Sequence, residues 1–260
     1  MTVEKPPYTF YGCHPMNTLD RPENTYLEAI VFHTTAGGST IEGLSAWFNG
    51  ENLKQGMRGS TYAGVDRAGK MGLFLQPYSP KAPIANGQTA LARAQGTAKL
   101  IVDNGPLNAN FWTFNIEHCD AGVPGSLTGI QLENSIWLAA YAWQTWIQPY
   151  VHFTGATLDL DHLLQHNVFD PQDRARCASW TLERMNYVLS GMRKLLAGPV
   201  PPPTPTPDPP TPTPDPDEWK FKFAKLAGES NQWNVDDRDV ATASAILRGQ
   251  RITDIAEGRS

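Results

Sequence analysis

A proline-rich segment, GPVPPPTPTPDPPTPTPDPDEW at residues 198–219, divides this chain into two parts of unequal length. Eleven of the 22 prolines lie between Pro199 and Pro216, where they alternate with threonine and aspartate. Proline fixes φ and favours the polyproline II conformation, so this composition builds no packed core and extends by ~3.1 Å per residue. We predict a semi-rigid linker at 198–217, on the order of 50 Å long, between a domain at 1–197 and a small unit at 218–260.

Charge and composition exclude several classes of protein. The net charge of −5 and the absence of a cluster of basic residues argue against nucleic-acid binding. The first residues, MTVEKPPYTF, lack the basic start and apolar run of a signal peptide, and no apolar run is long enough to span a membrane. We therefore expect neither export nor a membrane anchor. The three cysteines, an odd number, indicate free thiols rather than a disulfide framework.

The domain before the linker has the pattern of a mixed α/β fold. Its β-branched and aromatic runs predict strands at 29–35 and 111–119, and two more within 60–77 around a turn at Ala68–Gly69. Apolar residues at three- and four-residue steps predict helices at 40–49, 128–147 and 179–196, the last two with Thr128 and Ser179 as N-caps. Because strands and helices interleave, we predict a mixed central β-sheet flanked by helices.

Three residues have the chemistry of a zinc site. His33 ends the apolar run AIVFHTTAGG, and His166 and Cys177 lie in the segment DHLLQHNVFDPQDRARCASW. Zinc prefers imidazole nitrogen and thiolate ligands, and a catalytic site supplies three of them and leaves the fourth position to water. His162, four residues before His166, is an alternative ligand if the two share a helical face.

The order of four motifs resembles a known family. IVFHTTAGG, STYAGVDRAGKM, FNIEHCDAG and HNVFDPQDRARCAS are similar to the motifs of the zinc-dependent N-acetylmuramoyl-L-alanine amidases, the type shared by phage endolysins and peptidoglycan recognition proteins. The resemblance covers about residues 25–195. It implies a zinc ion held by His33, His166 and Cys177, with bacterial peptidoglycan as the substrate.

The resemblance also implies the catalytic residues. Glu117 stands at the family's Ile-Glu motif and would be the general base beside the zinc-bound water. Tyr62, or Thr61 beside it, matches a tyrosine near the start of the hairpin. The basic residue that usually stands two positions before the last ligand is replaced by Ala175, and the resemblance favours Arg174 over Arg176 for stabilising the oxyanion.

The implied reaction is hydrolysis of the amide bond between N-acetylmuramic acid and L-alanine. Family members that only bind peptidoglycan typically lack the thiolate ligand, so Cys177 favours an enzyme over a recognition module. A zinc peptidase acting on the stem peptides is a third alternative. Without an export signal, the resemblance implies a phage or prophage endolysin that waits in the host cytoplasm, with residues 218–260 as a cell-wall-binding or oligomerising element.

Overall fold

Six strands form one mixed sheet in the domain before the proline-rich segment. The structure, a computed structural model, describes residues 2–35, 37–38, 40–86, 99–104, 107–122, 126–150, 157–171 and 174–198. The predictions for the linker and for residues 218–260 therefore lie outside the described residues, apart from Gly198. In chain order the strands are β1 Thr9–Phe10, β2 Thr18–Asp20, β3 Ala29–Thr34, β4 Ala63–Val65, β5 Met71–Leu73, β6 Lys81–Pro83, β7 Thr113–His118 and β8 Leu163–Gln165.

Helices cover both faces of this sheet. They are α1 Ile41–Ala46, α2 Asn52–Lys54, α3 Lys99–Asp103, α4 Ala109–Trp112, α5 Gly129–Ala142 and α6 Leu182–Ala197. Wider helical turns at Trp47–Glu51 and Trp143–Ile147 extend α1 and α5, and 3₁₀ turns lie at Pro15–Asn17, Leu160–His162 and His166–Val168. None of the helices in the described ranges is long and apolar enough to cross a membrane.

The sheet has the strand order β1-β5-β4-β7-β3-β8. Only the β4/β5 hairpin is antiparallel; β4, β7, β3 and β8 run parallel. The carboxyl ends of these four strands therefore meet at one edge of the sheet, where parallel sheets usually carry their ligand sites. The predicted mixed α/β fold is confirmed, and β2 and β6 form a separate two-stranded ribbon.

Alternation along β7 separates the two faces of the sheet. Phe114 and Ile116 belong to the main core, which α5 and α6 cover, and Asn115 and Glu117 point to the opposite face because side chains alternate in a strand. The central strand β3 is buried along Ala29–His33, as its unbroken apolar run predicts. The buried central strands of the sheet thus position the residues at its carboxyl edge.

Helix α5 begins where the sequence predicts. The Thr128 hydroxyl accepts a hydrogen bond from the Gln131 amide, and the Gln131 side chain accepts one from the Thr128 amide. Such a capping box satisfies two amides that would otherwise lack partners, and its N-cap contributes about 1 kcal/mol. The predicted cap of the last helix is wrong: Thr181, not Ser179, caps α6, because Ala178 adopts a positive φ of 48° that delays the helix start.

Two other local predictions need correction. The predicted strand at 111–119 begins only at Thr113, because Ala109–Trp112 form the short helix α4 capped by Asn108. The helical face that would make His162 an alternative to His166 does not form, because β8 occupies Leu163–Gln165 and pairs with β3. By contrast, the turn predicted at Ala68–Gly69 is confirmed, with Gly69 at a φ of 83°.

Candidate metal centre

The predicted site residues converge at the carboxyl edge of the parallel strands. His33 is the penultimate residue of β3, His166 follows the end of β8, and Cys177 lies in the connection that leads to α6. Glu117, near the end of β7, is the register partner of His33. Three segments distant in sequence thus meet at the ends of adjacent strands.

His33, His166 and Cys177 form a compact cluster. One ligand atom from each lies within 4.8 Å of those of the other two. The two imidazole rings have centroids 4.4 Å apart, and Nδ1 of His166 lies 3.3 Å from Sγ of Cys177. The histidines are 2 % and 6 % exposed, so the sheet and its loops hold the three donor atoms together.

The cluster is electrically neutral without a metal ion. Burial and the neighbouring His166 hold the pKa of His33 well below its usual value. Burial and the charge of Arg174 lower the pKa of His166 to about 4. Burial and the nearby Glu117 carboxylate raise the pKa of the Cys177 thiol to about 12. The imidazoles are therefore ready to coordinate, and the thiol needs a cation to lose its proton.

Backbone contacts fix the position of Cys177. Its sulfur accepts a hydrogen bond from the Thr34 amide at 3.5 Å, and the Thr34 hydroxyl accepts one from the Ala178 amide at 3.1 Å. Ala178, with its positive φ, is fully buried. A non-glycine residue in this region costs about 1 to 2 kcal/mol, and here that conformation turns the chain so that Cys177 faces the strand end.

Glu117 has the properties of a proton-transfer group. Burial, together with the like charge of Asp120, raises the pKa of Glu117 to about 8, and the positive charge of Arg174 opposes the shift. Asp120 itself is buried and accepts hydrogen bonds from the amides of Gly37 and Gly122. A carboxyl group with a pKa near neutrality can both accept and donate a proton at physiological pH.

Arg174 is exposed, and its positive charge acts on the cluster. Its charge acts on His33, His166 and Glu117, and it lowers the pKa of each of them. Its amide donates a hydrogen bond to the Asp170 carbonyl, which ties this arginine to the loop after β8. The neighbouring Arg176 is exposed.

The structure does not bring Tyr62 to the cluster. Its ring is fully buried and stacks on Phe114, with centroids 5.2 Å apart, and the Arg21 guanidinium lies over it. Phe114 belongs to the core under α5, so Tyr62 packs away from the face that carries Glu117. Thr61, the alternative, is also buried, and its hydroxyl donates to the Ala63 carbonyl.

His162 stands apart from the cluster as well. It precedes β8 whereas His166 follows it, so the length of the strand separates them. Its Nδ1 is bonded to Asp159 at 2.7 Å, and its ring contacts Trp143. His118 is buried on the α5 side, where its ring nitrogens contact the His33 carbonyl and the Ser135 hydroxyl. Each of these two histidines has a structural role.

Sequence reasoning missed two residues that act on the site. Asp120 raises the pKa of Glu117, and the Asn115 side chain lies 2.8 Å from Nε2 of His33. Asn115 precedes Glu117 by two residues on a strand, so alternation alone could have placed it on the same face. Asp120 follows the end of β7, where no periodicity applies.

The donor set fits a zinc ion. Two neutral imidazoles and one cysteine match the ligands that zinc prefers, and three protein ligands leave one position for water or substrate. The Cys177 thiol and the Glu117 carboxyl group can each lose a proton when a cation binds, which gives the cation two favourable interactions. The described residues contain no other group of three histidine, cysteine or acidic side chains with this geometry.

Comparison with known proteins supports the fold. No family model matches the sequence, and no curated protein matches it. Among solved structures, a selenomethionine derivative of AmpD superposes with a TM-score of 0.51 at 14 % identity, over 70 % of this chain and 93 % of AmpD. Staphylococcus aureus hydrolase AmiA, in complex with its ligand, gives 0.45 at 15 % identity, over 76 % of this chain and 87 % of AmiA.

A mutant endolysin from Bacillus subtilis gives a TM-score of 0.45 at 14 % identity, over 70 % of this chain and 96 % of the endolysin. Of these three structures, AmpD is the one whose score is high enough to support a conclusion about fold. The chain therefore shares the mixed α/β fold of AmpD.

Proposed function

We propose that this protein is a zinc-dependent N-acetylmuramoyl-L-alanine amidase that cleaves the amide bond between the lactyl group of N-acetylmuramic acid and L-alanine. The observation that carries the proposal is the cluster of His33, His166 and Cys177 beside Glu117 at the carboxyl edge of the sheet. The sequence motifs that resemble this family contribute all four residues, and the AmpD-like fold agrees with them.

The residues of this chain divide the chemistry among them. A zinc ion, when bound, supplies Lewis acidity that activates water and polarises a carbonyl group. Glu117 would accept the proton of the attacking water and pass it to the departing amine, and burial favours this transfer because it raises the pKa of the carboxyl group above that of an exposed one. Arg174 provides positive charge for the developing oxyanion.

The test combines metal content with product analysis. The full chain is assayed for bound zinc and for release of new N-terminal alanine from purified peptidoglycan, alongside Cys177→Ser and the control Cys13→Ser, whose sulfur lies outside the cluster. We expect about one zinc per chain and alanine release in the wild type and in the control, and the loss of both in Cys177→Ser.

The product distinguishes the alternatives. New N-termini other than alanine would indicate a peptidase acting on the stem peptides. A protein that binds peptidoglycan but holds no zinc and releases no product would be a recognition module.

The role of an endolysin and residence in the host cytoplasm before lysis are part of the same proposal. They rest on the motifs and on the proline-rich segment, which is typical of a catalytic domain joined to a second module. Expression in a bacterial host tests both. We expect lysis only when a membrane-permeabilising protein is expressed together with this chain, and lysis by this chain alone would contradict the proposed cytoplasmic retention.

A further inference from the structure

Asn115 makes direct contact with one of the three clustered residues. Its side chain is fully buried in the middle of β7 and points to the face that carries Glu117. The amide oxygen Oδ1 lies 2.8 Å from Nε2 of His33. A buried amide at this distance restricts which imidazole nitrogen of His33 can carry the proton.

The hydrogen bonds of Asn115 determine the orientation of its amide. Nδ2 lies 3.2 Å from the Thr113 carbonyl oxygen and 3.1 Å from the Thr113 hydroxyl. A carbonyl oxygen only accepts, so the group that faces it must be the NH₂ group. The other atom of the amide, which faces His33, is therefore the oxygen.

The Thr113 hydroxyl agrees with this orientation. It donates its single proton to the Ala109 carbonyl at 2.7 Å, and it accepts a hydrogen bond from Nδ2 of Asn86 at 2.8 Å. With its proton used, the hydroxyl can only accept from Asn115. Each hydrogen bond in this buried series therefore has a defined donor: His33 donates to Asn115, Asn115 to Thr113, and Thr113 to the Ala109 carbonyl.

The donors and acceptors in this series of hydrogen bonds determine the tautomer of His33. Since Oδ1 of Asn115 can only accept, Nε2 of His33 must donate and carries the ring proton. A neutral imidazole has one proton, so Nδ1 holds the free lone pair. A metal ion binds only a nitrogen with a lone pair, and the partner of the other nitrogen decides which one is available.

We propose that Asn115 is a positioning residue of the metal centre, which holds the proton of His33 on Nε2 and thereby presents Nδ1 to the metal ion. The inference rests on the proposed function, because it needs a metal at this cluster. A neutral amide suits this place: Glu117 and Asp120 already repel each other, and an amide accepts the hydrogen bond without adding a third negative charge.

Two measurements test the inference. In the first, zinc affinity is measured by competition with a chelating dye for the wild type, Asn115→Ala, Asn115→Asp and Asn17→Ala. Asn17 is a matched control, because it is buried and bonded to the Phe48 carbonyl and to Asn52. Loss of such an outer partner typically weakens metal binding by about 10- to 100-fold, which we expect for Asn115→Ala alone.

Asn115→Asp keeps an acceptor oxygen toward His33, but it turns a second oxygen to the Thr113 carbonyl and can add a negative charge, so we expect its zinc affinity to lie between those of Asn115→Ala and the wild type. Partial rescue by aspartate separates the hydrogen bond from a merely structural contribution of the side chain. Equal zinc affinity in Asn115→Ala and the wild type would overturn the inference and leave the proposed function intact. A wild type that binds no zinc would instead overturn the proposed function and, with it, the metal role of Asn115.

The second measurement is nitrogen NMR of histidine-labelled, zinc-free protein, which reports the protonated ring nitrogen of His33 directly. We expect the proton on Nε2 in the wild type and in Asn115→Asp, and a mixture of tautomers in Asn115→Ala. A wild type with the proton on Nδ1 would overturn the inference, even if Asn115→Ala failed to fold.

Discussion

His33 and Glu117 lie directly opposite each other on the adjacent parallel strands β3 and β7. Both strands are held by backbone hydrogen bonds over six register pairs, so the spacing of the two side chains depends on the sheet rather than on a loop. A site built on strands holds its groups more firmly than one built on loops. The proposed metal ligand and the proposed base are therefore positioned by the same hydrogen bonds that form the fold.

Glu117→Gln is expected to separate activity from stability. The substitution removes the proposed base and should lower amidase activity by about 10²- to 10⁴-fold, with zinc still bound. It should also stabilise the zinc-free protein at neutral pH, because the pKa of Glu117 is raised to about 8 in the folded state. Below the unfolded pKa near 4.5, Glu117 is protonated in both states and its ionisation costs no folding free energy. Between pH 4.5 and pH 8 the unfolded state loses the proton more readily, so ionisation of Glu117 opposes folding by an amount that grows with pH.

Because Glu117→Gln removes the ionisable group, it should raise the free energy of unfolding of the zinc-free protein by on the order of 2 to 3 kcal/mol at pH 7. Thermal unfolding of the zinc-free proteins from pH 5 to pH 8 provides the check, with the exposed Glu133→Gln as control. The Tm difference between Glu117→Gln and the wild type should grow with pH. A difference independent of pH would mean that Glu117 titrates as an ordinary surface carboxyl group.

Zinc binding should release protons from the cluster. Without metal, the pKa of Cys177 is about 12 and that of Glu117 is about 8, so both groups are largely protonated at pH 7. Both histidines are neutral there because burial lowers their pKa values. A cation at the site makes the thiol ionise and favours the charged form of the carboxyl group.

Calorimetric titrations in buffers of different ionisation enthalpy count these protons. We expect about one proton per zinc for Glu117→Gln, from the thiol, and a larger number for the wild type. Equal proton release from both proteins would show that Glu117 is already ionised before zinc arrives.

Arg174→Ala should slow the reaction with little change in zinc binding. Arg174 is exposed, but its charge acts on Glu117 and on both histidines of the cluster. Because water screens an exposed charge, we expect a loss in kcat/KM of about 10- to 100-fold, below that for a buried oxyanion donor. Arg176→Ala is the matched control and should remain close to the wild type; the reverse order would assign the role to Arg176.

Tyr62→Phe should keep full activity and stabilise the protein. The Tyr62 hydroxyl is buried and has no hydrogen-bond partner among the described residues, and its ring packs against Phe114 rather than at the cluster. A buried hydroxyl without a partner costs about 1 to 3 kcal/mol, so its removal should raise the Tm. Tyr78→Phe is the contrasting variant, because the Tyr78 hydroxyl donates to the Thr145 carbonyl. Loss of activity in Tyr62→Phe would restore Tyr62 to the catalytic machinery.

The sequence was sufficient where a single local rule decides the structure. The unbroken apolar run before His33 predicts β3, and Thr128 as an N-cap predicts the start of α5. Tyr62, which the resemblance to the amidase motifs implies, has no such local support, and strand alternation would give the wrong face for it. Alternation counted back from Gly64, the register partner of Glu117, places Tyr62 on the same face as that carboxyl group. Tyr62 lies one residue before β4, where alternation does not yet hold, and core packing turns its ring to the other face.

The ligand set illustrates the same limit at longer range. Spacing alone leaves His162 and His166 as alternatives, because side chains four residues apart lie close together only if a helix joins them. The pairing of β8 with β3 resolves the choice, since it sends the two histidines to opposite ends of a strand. Three residues are too few for a periodicity to be recognised, so this contact could not be found from the sequence.

Removal of residues 199–260 should impair wall binding while sparing the chemistry. All residues of the proposed site precede α6, which ends at Ala197 with Gly198 as its C-cap. Among the described residues, those of the core under α5 and α6 also precede that point. We therefore expect the chain ending at Gly198 to bind zinc and to cleave soluble muropeptides at the wild-type rate.

Binding to intact cell walls, measured by co-sedimentation, should fall for this shortened chain if residues 218–260 recognise the wall. A chain ending at Asp217, which keeps the linker, is the matched control and should bind as weakly as the shorter one. Wild-type binding by the chain ending at Asp217, but not by the one ending at Gly198, would transfer the wall-binding role to the proline-rich segment. Unchanged wall binding by both shortened chains would show that residues 199–260 do not carry the wall-binding role.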